Sequence, residues 1–483
     1  MEPIFILLIL CGYFAILLLI SHFTSRKTDA ETYFTANRGS VWYVVAFGMI
    51  GSSLSGITFI SVPGMVGNEN FYYFQLVLGY LLGYGIIAGV LLPLYYKLNL
   101  VSIYGYLGQR IGEYSHKTGS LFFLISQSIG AALRLFVVAE VLQRTLFDHF
   151  HVPFAVTVIV VLVMIWIYTR KAGIKTIVWT DIFQTTIMIT AIIGVLLIVI
   201  NQLGISFFQA GQVVYDHNYS TVFNWDWQHE KYFWKQFITG VLVAVAMNGL
   251  DQNEMQKSLT CSNLKDAQKN ITLYSVILVA TNLLFLSFGV LLYVYVEDKG
   301  ISLPQTVSGA FKDTDALFSF LSMQQLGGIA GFLFILGIAS AAFSSADSAL
   351  ASLTTAFYKD FIREDNKSEE EKIKTRKWIN VMISIFLISL ILLFRAINNE
   401  SVIHLVFTIA GYTYGPLLGM FAFGLFTKWE TKDKWVPIIA VLSSVASYIL
   451  STHAVQWFGI NLGYTVLLLN GMITFTTMAL IKK

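Results

Sequence analysis

Apolar residues in this chain gather in long blocks divided by short polar stretches. They do not alternate with polar residues at the period of a half-buried strand or helix. A helix rises about 1.5 Å per residue, so about 20 apolar residues cross a hydrocarbon core. Thirteen spans fit: 3–22, 41–66, 71–97, 118–147, 153–170, 176–201, 232–252, 270–296, 325–357, 377–396, 400–426, 435–452 and 457–481. The first block is too long for a signal-peptide core of about 7–15 residues, and its positive charges, Arg26 and Lys27, follow it. It reads as a true span. Neither terminus carries a stretch long enough for a soluble domain, so residues 1–483 read as a single all-α transmembrane domain.

Composition agrees: 56% of the residues are hydrophobic and 12% are charged. A soluble chain carries roughly twice that charge fraction. The mean hydropathy of +0.68 calls for a lipid surround. The net charge of +3 says less than where the charges lie. With the N-terminus outside, the inside segments hold 24 of the 31 Lys and Arg residues. The outside ends hold Arg144, Lys231, Lys235, Lys299, Lys312 and Arg395, and Arg134 is intramembrane. That asymmetry orients the protein in a plasma (inner) membrane with a cytoplasmic C-terminus. The run Asp360–Lys377 then reads as a solvated inside loop. Residues 202–231 form the longest outside loop, with Trp225 and Trp227 suited to the interface. The two cysteines, Cys11 and Cys261, fall in different compartments, so no disulfide is expected.

Ionisable groups within spans cost roughly 2.5–3.5 kcal/mol each on insertion scales and so are functional candidates. Here they are Arg134, Glu140, Asp181, Asp251 and Asp347, with Asp251 expected at a cytoplasmic helix end in reach of water. The second span carries Gly51-Ser52-Ser53-Leu54-Ser55-Gly56-Ile57-Thr58, which weakens a helix and supplies oxygens. Small-residue helix packing explains such a run equally well. On the ninth span Ala341, Ser344, Ser345 and Ser348 share a stripe, with Asp347 at its edge. A carboxylate among hydroxyls suits a hard cation that wants oxygen ligands. By depth, the second-span run, Asp181 and Ser344–Ser348 can share one level.

These residues carry a family likeness. Tyr33-Phe34, the run from Gly51 to Phe59 with Pro63-Gly64, and Lys171 to Gln184 come first. Asp251-Gln252 with Gln256-Lys257, and Ser344 to Ser348 with Tyr358-Lys359-Asp360, follow in the same order. Together they resemble the sodium:solute symporter family. The resemblance implies a leucine-transporter-like fold of about thirteen transmembrane helices built on an inverted five-plus-five repeat. Here that means a leading helix at 3–22, repeats at 41–201 and 232–426, and trailing helices within 435–481. An odd number of spans per repeat forces the second to be inverted.

Carried over by position, the resemblance implies a principal sodium site from the backbone carbonyls of Gly51, Leu54 and Ala341 and the hydroxyls of Ser344 and Ser345. A second cation site, found in some members, would use Asp181, Ser344, Asp347 and Ser348. Others have a small residue where Asp347 stands, which either strengthens that site here or makes it a proton site. Gln256-Lys257 stands where a Gln-Arg pair is usual, in what reads as a cytoplasmic loop. Solute-site candidates are Ser55, Thr58, Tyr73, Gln75, Arg134 and Asn248, although Tyr73 and Gln75 also fit ordinary helix packing. Asn248 reaches mid-membrane only if the seventh span is broken. Arg134 cannot shed its charge and needs an anionic or strongly polar partner. Its span offers Glu140, six residues away on another face. That leaves a carboxylate on another span, or a solute. Sialic-acid-transporting members place an arginine on this helix for the solute carboxylate, about one turn away by ungapped alignment.

The expectation is a sodium-coupled symporter, carrying one or two sodium ions, of a small organic solute, with a lean towards an acid or zwitterion such as a sialic acid or amino acid. Proton coupling or a neutral-sugar solute is the alternative. An ion channel would show a filter. An enzyme would show metal-spaced histidines or a nucleophile motif. Beyond the solute and the bilayer, nothing calls for nucleic acid or an obligate protein partner.

Overall fold

The computed structural model describes residues 3–25, 30–169, 173–303, 314–362, 368–397, 402–459 and 462–481. Arg26, Lys27, Arg170, Lys171, Lys312, Lys482, Lys483 and the middle of the charged run after Asp360 lie outside the described residues. Among those described, nine helices are long and apolar enough to cross a membrane, and two further spans are bent pairs. Two shorter apolar helices, Phe154–Thr169 and Val466–Leu480, complete the order expected from hydropathy.

The second span is Trp42–Ser53 followed by Gly56–Glu69, bent by 65°, and the seventh is Phe233–Gly249 followed by Gln252–Ser258, bent by 71°. Backbone freed at such breaks can stay at membrane depth only where protein or a cavity surrounds it. At the first break Leu54 and Ser55 leave helical geometry (φ −83°, ψ 77° and φ −66°, ψ 170°). The last carbonyls of the half-helix before it therefore lose their usual donors. At the second break, protein hydroxyls take up the freed carbonyls. Tyr95 donates to Gly249 O at 2.8 Å and Tyr104 to Leu250 O at 3.0 Å. Asp251 caps the half-helix that follows, accepting from Asn253 N at 2.7 Å. Asp251 is thus buried at a break and is not at the solvated helix end that its sequence position suggests.

Small residues let these elements meet closely. A Cβ on Gly79 would lie 2.1 Å from Phe237 O, and one on Gly240 2.0 Å from Leu76 O, so the third and seventh spans touch backbone to backbone. The ninth span, Gly328–Phe361, is central: its apolar window is 78% buried, against 28% for the tenth and twelfth. The tenth and twelfth accordingly present apolar side chains outward, as lipid-facing helices do.

Two loop expectations change. The run Asp360–Lys377 is mostly helix, because the ninth span continues to Phe361 and the tenth begins at Glu369. Asp360 is buried, accepting from Ser102 Oγ at 2.9 Å, Ser120 Oγ at 2.6 Å and His116 Nε2 at 2.9 Å. Arg376 is also buried, its guanidinium 4.0 Å from the centre of the Tyr33 ring. Likewise Gln256 and Lys257 belong to the buried half-helix Gln252–Ser258, not to an exposed loop.

Candidate functional site

The run Gly51–Ser55 meets the ninth span where its hydroxyls cluster. A Cβ on Gly51 would lie 3.0 Å from Ser344 Oγ and 2.4 Å from Thr185 Oγ1. Only a glycine allows this approach, and it leaves the Gly51 backbone close to the Ser344 hydroxyl. Leu54 and Ala341 are buried beside it, and Ser345 is buried with its hydroxyl on Ala342 O of its own helix at 3.1 Å.

Beside this lies a charged cluster. Ser344 Oγ donates to Asp181 Oδ1 at 2.6 Å. Lys257 Nζ lies 2.6 Å from Asp181 Oδ2, with both side chains 1% exposed. Asp347 Oδ2 accepts from Tyr168 OH at 2.9 Å and its Oδ1 from Ser348 Oγ at 3.2 Å. The four residues expected at a second cation site thus form two bonded pairs joined through the ninth span. Lys257 and Tyr168 join them unanticipated. Thr185, one turn beyond Asp181, was legible only as a hydroxyl on the same helix face.

A cavity of about 160 Å³ opens between the two breaks. One water needs about 10–15 Å³ by the same measure, so a small organic molecule is the right scale. Of the candidate solute-binding residues, Ser55, Thr58, Tyr73, Arg134 and Asn248 line it. The break in the seventh span is what brings Asn248 there. Gln75 does not line it. Its amide holds the backbone of the long loop, donating to Lys231 O at 3.0 Å and accepting from Asn224 N at 3.0 Å. Glu254, Asp251, Asn253, Gln127, Asn282 and Tyr414 also line the cavity.

Arg134 donates from Nε to Gly130 O at 3.0 Å and from one terminal nitrogen to Gln127 Oε1 at 3.4 Å. Among the described residues no carboxylate lies within 4 Å of it; Glu140 is bound instead to Arg144 at 2.9 Å and Arg395 at 3.9 Å. The cavity walls differ in character. On the fourth span, Arg134 is joined by Gln127 Nε2, a buried donor with no partner among the described residues. Elsewhere on the lining, Glu254 stands with Asn253 and Asn282, whose Oδ1 atoms are buried acceptors without a partner among the described residues. Glu254 itself takes an amide hydrogen from Asn253 at 3.1 Å and only distant hydroxyls from Ser52 and Ser53 at 3.5 Å.

Known proteins agree with this architecture. Residues 33–433 match the profile of the sodium:solute symporter family. The sodium/sialic acid symporter SiaT of Proteus mirabilis is 24% identical, over 90% of this chain and 88% of its own. The human sodium/iodide cotransporter is 25% identical, over 86% of this chain and 65% of its own. Among solved structures, a substrate-bound, outward-open sodium-coupled sialic acid symporter superposes with a TM-score of 0.80 at 21% identity, covering 99% of this chain and 98% of that one.

Proposed function

The chain belongs to the sodium:solute symporter family and is a sodium-coupled symporter of a small organic solute, and we propose that this solute carries a carboxylate received by Arg134. The observation that carries the reading is a permanently charged guanidinium on the cavity lining with, among the described residues, no protein carboxylate within 4 Å of it. Its fork of donors suits a carboxylate. The rest of the lining, with Glu254 and two amide oxygens partnerless among the described residues, calls for hydrogen-bond donors. A solute with a carboxylate and with hydroxyl or ammonium groups satisfies both. Sialic acids and amino acids have that pattern, and a neutral sugar does not.

In this reading the principal sodium ion takes the carbonyls of Gly51, Leu54 and Ala341 and the hydroxyls of Ser344 and Ser345. Asp181, Ser344, Asp347 and Ser348 form a second cation set. Supporting the first is the close approach of Gly51 to Ser344 at a break where carbonyls lack helical donors. The two breaks fall five spans apart, as the first members of repeats at 41–201 and 232–426. The excess of basic residues on one side supports an N-terminus outside and a C-terminus in the cytoplasm, in the plasma (inner) membrane.

Alternating access then couples the two gradients. A tenfold sodium gradient gives about 1.4 kcal/mol and a potential of ~100 mV about 2.3 kcal/mol per charge. One sodium ion thus supports roughly 500-fold accumulation of a neutral or zwitterionic solute. The test is uptake by Arg134→Lys and Arg134→Ala protein in proteoliposomes, across N-acetylneuraminate, alanine, propionate and glucose. Both variants should lose carboxylate uptake. Folded variants that transport as wild type does, with no carboxylate competing, overturn the reading.

A further inference from the structure

Lys257 is a buried cation in this cluster that sodium-coupled transport leaves without a role. Its ammonium sits 2.6 Å from Asp181 Oδ2, and neither side chain is more than 1% exposed. The other Asp181 oxygen takes the Ser344 hydroxyl at 2.6 Å. Each oxygen of this carboxylate is therefore engaged, one by a cation and one by a hydroxyl.

An ammonium is a compact monovalent point charge that seeks oxygen partners. In charge and ligand preference it stands close to a sodium ion. Its placement is built: every residue of the half-helix Gln252–Ser258 is buried. Its neighbour Gln256 is pinned to Phe34 O at 2.8 Å and Thr355 Oγ1 at 3.0 Å. The charges also count. With both carboxylates ionised, Asp181 and Asp347 bring two negative charges to the cluster against one ammonium. Asp347 has hydroxyl partners on both oxygens and no cation within 4 Å among the described residues. One further positive charge makes the cluster neutral, and a sodium ion beside Ser344 supplies it.

We propose that the Lys257 ammonium is the resident cation of the Asp181 set, a tethered ion standing in for a second sodium, so that this chain binds one sodium ion per cycle. The inference rests on reading Asp181, Ser344, Asp347 and Ser348 as a cation set. It adds that the protein itself fills half of it.

The experiment is a sodium titration of the purified full chain followed by thermal stabilisation, with choline holding ionic strength constant. Wild type should give a Hill coefficient near one. Lys257→Met leaves Asp181 without its cation and should raise the coefficient towards two, while Lys257→Arg should keep it near one. A wild-type coefficient near two overturns the tethered ion without any variant, so the proposal stays testable even if Lys257→Met does not fold. A monodisperse Lys257→Met protein whose coefficient stays near one overturns it as well. Absence of any sodium stabilisation in wild type would instead strike the sodium site itself.

Discussion

Gly51 and Ser344 approach so closely that a Cβ on Gly51 would lie 3.0 Å from the Ser344 hydroxyl. It would also press on Thr185 Oγ1, at 2.4 Å. Overpacking of this kind costs about 1–3 kcal/mol. Gly51→Ala is therefore expected to separate the second span from the ninth and abolish stabilisation by sodium. A thermal-shift titration checks it. A variant that responds to sodium as wild type does would mean that Gly51 takes no part in the ion's site.

Ser344→Ala and Ser345→Ala each remove one hydroxyl of the proposed sodium site. The lost hydrogen bond costs folding about 1 kcal/mol for Ser345, which donates to a backbone carbonyl, and about 1.5–3 kcal/mol for Ser344, which donates to the Asp181 carboxylate. Half-saturation for sodium should rise about tenfold, equivalent to about 1.4 kcal/mol. The comparison is between Tm without sodium and the sodium concentration for half-maximal uptake. A drop in Tm with unchanged sodium dependence would make these serines structural only.

Glu254→Gln keeps the shape of the acceptor wall and removes its charge. A hydrogen bond to a charged group is worth about 1.5–3 kcal/mol. Solutes with an ammonium or hydroxyl group, such as alanine or N-acetylneuraminate, should lose roughly tenfold or more in apparent affinity. Propionate, which has neither, should change little. Equal losses for all three would argue against a role for Glu254 in solute choice.

Asp360 accepts from Ser102, Ser120 and His116, joining the end of the ninth span to the fourth. Asp360→Ala leaves the buried Ser102 and Ser120 hydroxyls without their acceptor, at about 1–3 kcal/mol for an unmade bond of this kind. A lower Tm is expected, with the sodium concentration for half-saturation unchanged. A shifted sodium dependence would tie Asp360 to the ion.

Cys261 lies between the seventh and eighth spans, where burial pushes its thiol up from 9.0 to about 12. A raised thiol pKa means less thiolate at neutral pH and slower alkylation. Maleimide labelling at pH 7–8 should be slow in folded protein and become fast on unfolding. Fast labelling of the native protein would show that the turn at Cys261 opens.

Much of the fold was legible because hydropathy reports depth directly: each apolar block became a span or a shorter apolar helix. The break in the second span was legible as glycines and serines where a helix should be strongest. Other features were hidden for physical reasons. Residues 251–258 are polar, and a hydropathy pattern cannot tell whether water or protein surrounds polar side chains. Glu254 and Lys257 were therefore missed, and Asp251 was placed in water. Gln75 shows the converse: the resemblance put it among the solute candidates, but a position in sequence says nothing of direction, and its amide holds a loop. Asp360 sat at the head of a charged run whose composition suggested solvent, yet two serines and a histidine from distant segments bury it.

The most direct test of sodium-coupled carboxylate transport is uptake into proteoliposomes of a carboxylate solute found by thermal-shift screening, driven by an inward gradient of sodium, potassium or choline chloride. Uptake should be concentrative with sodium alone, enhanced by an inside-negative potential where the solute is a zwitterion, and should need about tenfold more sodium in Ser344→Ala protein. Equal uptake with potassium or choline would contradict sodium coupling.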